Sequence, residues 1–257
     1  MKWIRKLLVR LIGIKAYLKL ISKVYLSLTN LGFLKKSYPE LFFIDRLVQP
    51  NWVCLDIGAN LGYYSNRILR NIEGGALHAV EPIPLFAAIW KSNILPSRKK
   101  VSLYNIALGE EKKQVKMSIP VRDGVVRHGL TKVDTGDNVG QSALSFDVEM
   151  ERGDAIFSDL KQLDFVKIDV EGYEQFVLRE IESTLRTHLP VIQIELSGRE
   201  NRSISYKLLT SISYKAFILD QNKLKPITED ELQSIDQDFY FLTEEKMQQF
   251  GSDLICK

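Results

Sequence analysis

The sequence predicts an α/β protein with a Rossmann-like, doubly wound and mostly parallel sheet, preceded by an N-terminal helical arm. From residue 51 onward, short apolar runs alternate with helical patterns, and this alternation is typical of a parallel sheet covered on both faces. A glycine-containing turn follows the first apolar run, as at the ligand-binding edge of such sheets. The composition, with 45% hydrophobic and 26% charged residues, is that of an ordinary globular chain.

The first 49 residues are predicted to form a basic, amphipathic helical arm, and residues 50–257 the ligand-binding domain. Apolar residues recur at helical spacing from Trp3 to Tyr25, and Gly13 falls within the pattern and can divide it into two helices. Residues 1–38 hold nine lysines and arginines and no acid, which leaves 26 basic against 32 acidic residues in the remainder. The mildly acidic body offers no broad basic surface, so we expect no nucleic-acid partner.

Two interpretations of the arm remain open. A basic helix with Trp and Leu opposite its charges can lie on an anionic membrane surface. Alternatively, its apolar stripe packs on the domain. Lysines and arginines interrupt every long apolar stretch, so we expect neither a membrane span nor a secretory signal. With only two cysteines in the chain, we expect a cytoplasmic protein, peripheral to the inner membrane face if the arm binds lipid.

The domain begins with an apolar run at residues 52–55, and further strand patterns occupy 76–80, 101–107, 165–168, 191–196, 215–219 and 239–242. Helical patterns lie between them. Residues 119–145 contain four glycines with little periodicity and are predicted to form a long loop. His128 lies in this loop, where it can act as a base or remain a solvated histidine.

The turn after the first run reads DIGANLGYYS over residues 56–65. A dinucleotide fingerprint would place glycine at position 60 to admit a pyrophosphate, whereas this chain has Asn60. Asp56 precedes the first glycine, and a carboxylate there favours a cationic group over a diphosphate. Glu81 follows the second run, where its carboxylate can accept hydrogen bonds from both hydroxyls of a ribose. These features favour S-adenosylmethionine (SAM) as the cofactor.

The motifs resemble those of the FkbM-type methyltransferases. The resemblance rests on residues 56–65, on EPIP at 81–84, on NIALG at 105–109, on DFVKIDVEGYE at 164–174 and on PVIQIE at 190–195. It covers roughly residues 50–243 and implies a SAM-dependent O-methyltransferase with the class I methyltransferase fold. The acceptor implied is a hydroxyl of a sugar, glycan or natural product. Together, motif and resemblance make these residues the predicted cofactor site: Asp56, Gly58, Asn60, Gly62, Tyr63, Glu81 and Asn105.

Acidic residues follow the fourth and fifth predicted strands of the sheet. Asp169 and Glu171 are the predicted catalytic residues, with Glu195 close by at the end of the neighbouring strand. Three roles remain open for them: a general base, positioning of the acceptor, or ligation of Mg²⁺ by Asp169 and Glu195. Glu171 can alternatively cap the following helix, and Lys167 is interpreted as a simple ion-pair partner.

Two other functions compete with methyl transfer. A nicotinamide-dependent oxidoreductase can use the same sheet, although Asp56 and Asn60 count against it. A non-catalytic, membrane-associated binding module would explain the arm but not the full set of site motifs. The oligomeric state and the identity of the acceptor have no signal in the sequence.

Overall fold

The computed structural model describes residues 2–95, 99–122, 125–126, 132–133 and 143–256. In chain order the strands are β1 (Val53–Ile57), β2 (Ala76–Val80), β3 (Lys100–Tyr104), β4 (Ala107–Leu108), β5 (Lys113–Arg122), β6 (Val125–Val126), β7 (Lys132–Val133), β8 (Ala143–Glu151), β9 (Phe165–Ile168), β10 (Val191–Ile194), β11 (Lys215–Asp220), β12 (Lys223–Pro226) and β13 (Phe239–Leu242). His128 lies outside the described residues.

Helices connect these strands and cover both faces of the main sheet. They are α1 (Lys2–Asn30), α2 (Pro39–Leu47), α3 (Tyr63–Asn71), α4 (Pro84–Ile94), α5 (Gly153–Phe157), α6 (Glu174–Glu180), α7 (Glu182–His188), α8 (Arg199–Ser211), α9 (Glu229–Ser234) and α10 (Glu244–Leu254). None of the described helices is long and apolar enough to cross a bilayer.

The main sheet has the order β12-β11-β13-β10-β9-β1-β2-β3. Strand β1 is central and pairs in parallel with β2 on one side and β9 on the other, while β13 runs antiparallel between β10 and β11. The direction of winding reverses between β1 and β9, and open α/β sheets bind ligands at the carboxyl ends of the strands at such a point. The predicted fold class is therefore confirmed.

A second, mostly antiparallel sheet is built around the long hairpin of β5 and β8, to which β4, β6 and β7 add short segments. The predicted loop over residues 119–145 is wrong at both ends, because residues 119–122 and 143–145 belong to β5 and β8. Pairing between these segments is a long-range interaction, so local glycine content gave no sign of it. The hairpin buries Ile119 and Val148 against α1 and α4.

The arm divides at Gly13, whose backbone is non-helical with φ 76° and ψ 160°. Beyond it, Tyr17, Leu18 and Leu26 are buried against the domain. Helix α2 contributes five buried residues to the core beside the sheet, so it packs as part of the domain. A domain boundary near residue 49 stays a prediction.

Candidate active site

Two adjoining cavities open at the carboxyl ends of the parallel strands. The larger has a volume of about 660 Å³ and the smaller about 450 Å³. Gly58, Pro82, Met117, Val170 and Glu171 are among the residues that line both. The predicted site residues that line the larger cavity are Asp56, Gly58, Asn60, Tyr63, Glu81, Asp169, Glu171 and Glu195.

The turn after β1 is held together by its own N–H groups. Gly58 and Ala59 donate to the carbonyl of Val80 at 2.9 and 3.0 Å, and Gly62 donates to Ala59 at 2.8 Å. Asn60 donates its backbone N–H to Glu81 at 2.8 Å. These donors are therefore already used, unlike those of a loop that cradles a phosphate.

The carboxylate of Asp56 lies at the N-terminus of α3, where a helix can bind an anion. Its carboxylate accepts the Ser65 hydroxyl at 2.5 Å and the Ser65 backbone N–H, and Trp90 in turn donates to the Ser65 oxygen at 2.8 Å. Burial raises the pKa of Asp56 to about 6, against the lowering effect of Ser65 and Lys167. A negative group at a helix N-terminus is stabilising, so Asp56 takes the place where a bound diphosphate would otherwise lie.

Glu81 is buried at the end of β2 and accepts one backbone N–H on each oxygen, from Asn60 and Ile83, both at 2.8 Å. A carboxylate offers about four lone-pair positions, so two remain for a ligand. Burial raises the pKa of Glu81 to about 7, more strongly than these two hydrogen bonds lower it. Its position fits the predicted contact with a vicinal diol.

Gly58 has no room for a side chain. Its φ is +80°, and a Cβ atom there would lie 1.8 Å from the carbonyl oxygen of Asp169. The glycine therefore lets the turn after β1 pack directly on the turn after β9. This contact brings the backbone of Asp169 against the glycine turn.

Gly62 and Asn105 do not line either cavity, and their role as cofactor ligands stays a prediction. Gly62 adopts φ +92° at the start of α3, and a Cβ atom there would lie 3.1 Å from Trp90. Asn105 donates its amide to the carbonyls of Glu81 and Pro82 at 2.7 and 2.9 Å. Both residues therefore shape the site by packing. Gly62 lets α3 pack on α4, and Asn105 holds the loop after β2.

The carboxyl groups of Asp169 and Glu195 follow β9 and β10, and each changes the pKa of the other. Burial, and then the charge of Asp169, raises the pKa of Glu195 to about 7. Burial also raises the pKa of Asp169, which Lys167 partly counteracts. Two close carboxylates cannot easily both ionise, so the pair shares a proton below neutral pH and loses it near pH 7.

Lys167 lies fully buried beneath this pair. Its ammonium is 3.1 Å from Asp238 and 4.0 Å from Asp169, and it lies over the ring of Tyr64 at 4.8 Å. Burial alone would lower the pKa of Lys167, but the surrounding carboxylates outweigh it and raise the pKa above its ordinary value. The ion-pair interpretation is thus supported, with Asp238 as the nearest carboxylate.

Asp238 was not predicted as a site residue. Besides Lys167, it accepts hydrogen bonds from Gln193 at 2.7 Å and Tyr64 at 3.3 Å. The only signal in the sequence was Gln193, a polar residue inside the otherwise apolar strand β10. These three donors all reach the same oxygen of Asp238, whereas the nearest ammonium to Asp169 is 4.0 Å away.

Within the described part of the chain, no group of three or more His, Cys, Asp or Glu residues could hold a metal ion. The predicted Mg²⁺ ligands Asp169 and Glu195 instead lie with Lys167, whose ammonium supplies the positive charge among these acids. The prediction of a metal site at these two residues therefore finds no support.

Glu171 lies in the tight turn between β9 and α6, with left-handed backbone at φ 56° followed by Gly172 at φ 95°. The strand alternation that would have aligned it with Asp169 ends at Ile168. Glu174, missed in the sequence, holds this turn by accepting the N–H groups of Gly172 and Val170 at 2.9 and 3.3 Å. Glu171 consequently lies where the two cavities meet.

The sequence matches the model of the methyltransferase FkbM domain over residues 56–219, well over half of the chain. Comparison with curated proteins gave no match. A structure of methyltransferase FkbM from Methylobacillus flagellatus is similar, with 16% identity and a TM-score of 0.48. The alignment covers 74% of this chain and 43% of that one, so this chain spans less than half the length of that relative.

Two further solved structures are similar. One is a SAM-dependent O-methyltransferase from Thermotoga maritima, at 13% identity and a TM-score of 0.45, with 87% of this chain and 66% of that one covered. The other is fibrillarin from Aeropyrum pernix with bound SAM, at 10% identity and a TM-score of 0.42, with 76% and 67% covered. The match of the domain model runs from the glycine turn to β11, and it shows that this chain belongs to the FkbM methyltransferase family.

Proposed function

We propose that the protein transfers the methyl group of SAM to a hydroxyl group of a sugar, glycan or natural product. The observation that carries the proposal is the pair of carboxyl groups of Asp169 and Glu195, which line the larger cavity beside the glycine turn and of which Glu195 has its pKa raised to about 7. A hydroxyl must lose its proton as it accepts a methyl group, and a carboxylate in reach of it can take that proton. Family membership supports methyl transfer in general, and the proton-accepting pair favours oxygen as the acceptor atom.

The residues present fit SAM. The smaller cavity is lined mainly by apolar side chains, including Ile106, Leu108 and Met150, and suits a flat adenine ring. Glu81 retains two lone-pair positions for the ribose hydroxyls. Asp56 lines the larger cavity beside Gly58, and its carboxylate favours the positive charge of the sulfonium and amino groups. SAM, when bound, supplies an electrophilic methyl group.

The same contacts count against a nicotinamide dinucleotide. The N–H groups of Gly58, Ala59, Asn60 and Gly62 already have acceptors in the protein. Asp56 holds the helix N-terminus that would otherwise attract a pyrophosphate. A diphosphate placed there would meet a carboxylate and no donors from these four residues, so the oxidoreductase alternative is disfavoured.

The acceptor is expected in the outer part of the larger cavity. Its lining combines Tyr38 and Tyr63 with polar residues such as Gln237 and Arg202. Aromatic faces beside hydrogen-bonding groups suit a polyol with apolar C–H faces, such as a sugar. In the reaction, Asp169 and Glu195 orient the hydroxyl, one of the two carboxylates accepts its proton, and Lys167 holds the pair in place.

Incubation with methyl-labelled SAM tests the proposal against a panel of sugar, nucleotide-sugar, lipid-linked glycan and natural-product acceptors. We expect label in a hydroxyl-bearing acceptor, and we expect S-adenosylhomocysteine, but not NAD, to raise the melting temperature. The exposed acid Glu245 offers a control, since Glu245→Gln should transfer methyl groups at the wild-type rate. Stabilisation by NAD alone would overturn the cofactor assignment, and label found solely on nitrogen or carbon would overturn the assignment to oxygen.

A further inference from the structure

The arm carries an exposed apolar stripe that no part of the described chain covers. Among the described residues, eleven of the twelve most exposed large hydrophobic side chains lie between residues 3 and 38. Six of them follow helical i, i+4 spacing and define what we call the outer stripe: Trp3, Leu7, Leu11, Leu20, Val24 and Leu28. Their exposed fractions run from 37% at Leu28 to 70% at Leu11. The stripe has one run of three residues on each side of the bend at Gly13, and scattered apolar residues need no explanation, but two aligned runs mark an interaction surface.

The outer stripe is distinct from the face that packs on the domain. Tyr17 and Leu18 occupy the packed face and are buried against α4 and the second sheet, and Leu26 is buried further along the helix. From the sequence, domain packing and membrane contact are alternatives for one apolar stripe. The structure shows that the arm has two apolar faces, and domain packing uses one of them.

The charges that accompany the outer stripe are all positive. Arg5, Lys6, Arg10, Lys19 and Lys23 are exposed, and none of them forms an ion pair with another described residue. Residues 1–38 contain nine cations and no acid. Two copies of the arm brought together through this face would place like charges side by side, which is unfavourable. A partner that is both anionic and partly apolar complements the positive charges and the apolar side chains of the arm.

We propose that the outer stripe docks the protein on the surface of an anionic lipid bilayer. The apolar side chains enter the boundary between headgroups and acyl chains, and the lysines and arginines contact the lipid phosphates. Tyr25, on the same helix, lines the larger cavity, so the docked element is also a wall of the active site.

Trp3 supplies a direct readout. The chain has three tryptophans, of which Trp52 and Trp90 are buried at 5% and 0% exposure, while Trp3 is 68% exposed. Phosphatidylcholine vesicles containing phosphatidylglycerol should shift the tryptophan emission to shorter wavelength and carry the protein into the vesicle pellet. Vesicles of phosphatidylcholine alone should do neither, and added salt should weaken binding. Trp3→Phe should still sediment but lose the emission shift.

Matched variants separate the stripe from general surface effects. Leu7→Ser/Leu11→Ser should abolish sedimentation, whereas Leu95→Ser, an exposed apolar residue outside the arm, should leave it unchanged. Arg5→Gln/Lys6→Gln should weaken binding on the order of tenfold, whereas Lys161→Gln/Lys225→Gln should not. Circular dichroism confirms that each variant is folded. Unchanged binding by the arm variants, no binding to anionic vesicles, or a stripe-dependent dimer in light scattering would each overturn the proposal.

Discussion

The two ends of the active site are built by different means. At the glycine turn, a backbone with positive φ angles, held by its own hydrogen bonds, and the carboxylates of Asp56 and Glu81 form the proposed cofactor surface. At the acceptor end, side chains from separate strands and loops meet around the buried ammonium of Lys167. The shape of the backbone therefore governs cofactor binding at the glycine turn. At the acceptor end, the balance of buried charges governs both the chemistry and the stability of the fold.

The largest expected effect is a loss of stability on removing a buried charge. Lys167→Met leaves Asp238 without its cation in a buried setting, so we expect a loss of about 3–5 kcal/mol in the free energy of unfolding. Lys113→Met, which breaks an exposed ion pair with Glu111, should leave the free energy of unfolding nearly unchanged. Chemical denaturation measures both. Equal losses in the two variants would show that the acceptor end is not held by its buried charge.

Asp169→Asn keeps the shape of the side chain and removes its charge. Methyl transfer should fall by about 10²-fold or more, because a positioned proton acceptor contributes about that much. Affinity for S-adenosylhomocysteine should stay near that of the wild type, since the residue acts mainly on the acceptor. Single-turnover assays and calorimetric titration provide the two values. Wild-type turnover by this variant would make Asp169 structural.

Glu81→Ala tests the other end of the site. It removes the acceptor for the ribose hydroxyls, so cofactor affinity should weaken by about 1–3 kcal/mol. The turnover of enzyme saturated with SAM should change less than in Asp169→Asn. Because alanine also leaves the N–H groups of Asn60 and Ile83 without this acceptor, Glu81→Gln serves as a second variant. Calorimetric affinities equal to that of the wild type in both would refute this placement.

The sequence predicted the cofactor end better than the acceptor end. Gly58 and Glu81 follow strands at a spacing that reflects local backbone geometry, and both line the larger cavity. Motif spacing does not distinguish ligand contact from packing, since Gly62 and Asn105 belong to the motifs but line neither cavity. Asp238 precedes an antiparallel strand far along the chain, and no local pattern indicates that β13 inserts beside β10.

The fold shows the same division between local and long-range signals. Periodicity predicted the parallel strands because each is a short apolar run between helices. It missed the hairpin of β5 and β8, whose pairing joins residues about thirty positions apart. In the arm, periodicity indicated apolar residues at helical spacing but not that two faces would carry them, since the surface that covers one face comes from α4 and the second sheet.

The central claim is that Asp169 and Glu195 act together as the proton acceptor. The pH profile of kcat/KM for the acceptor, measured at saturating SAM so that Glu81 is covered by cofactor, tests it most directly. The rate should rise as pH increases through about 7, where the pair loses its shared proton. In Glu195→Gln the remaining carboxylate has no second acid to titrate with, so the profile should be flat across that range. A rise near pH 7 that persists in Glu195→Gln would contradict the account.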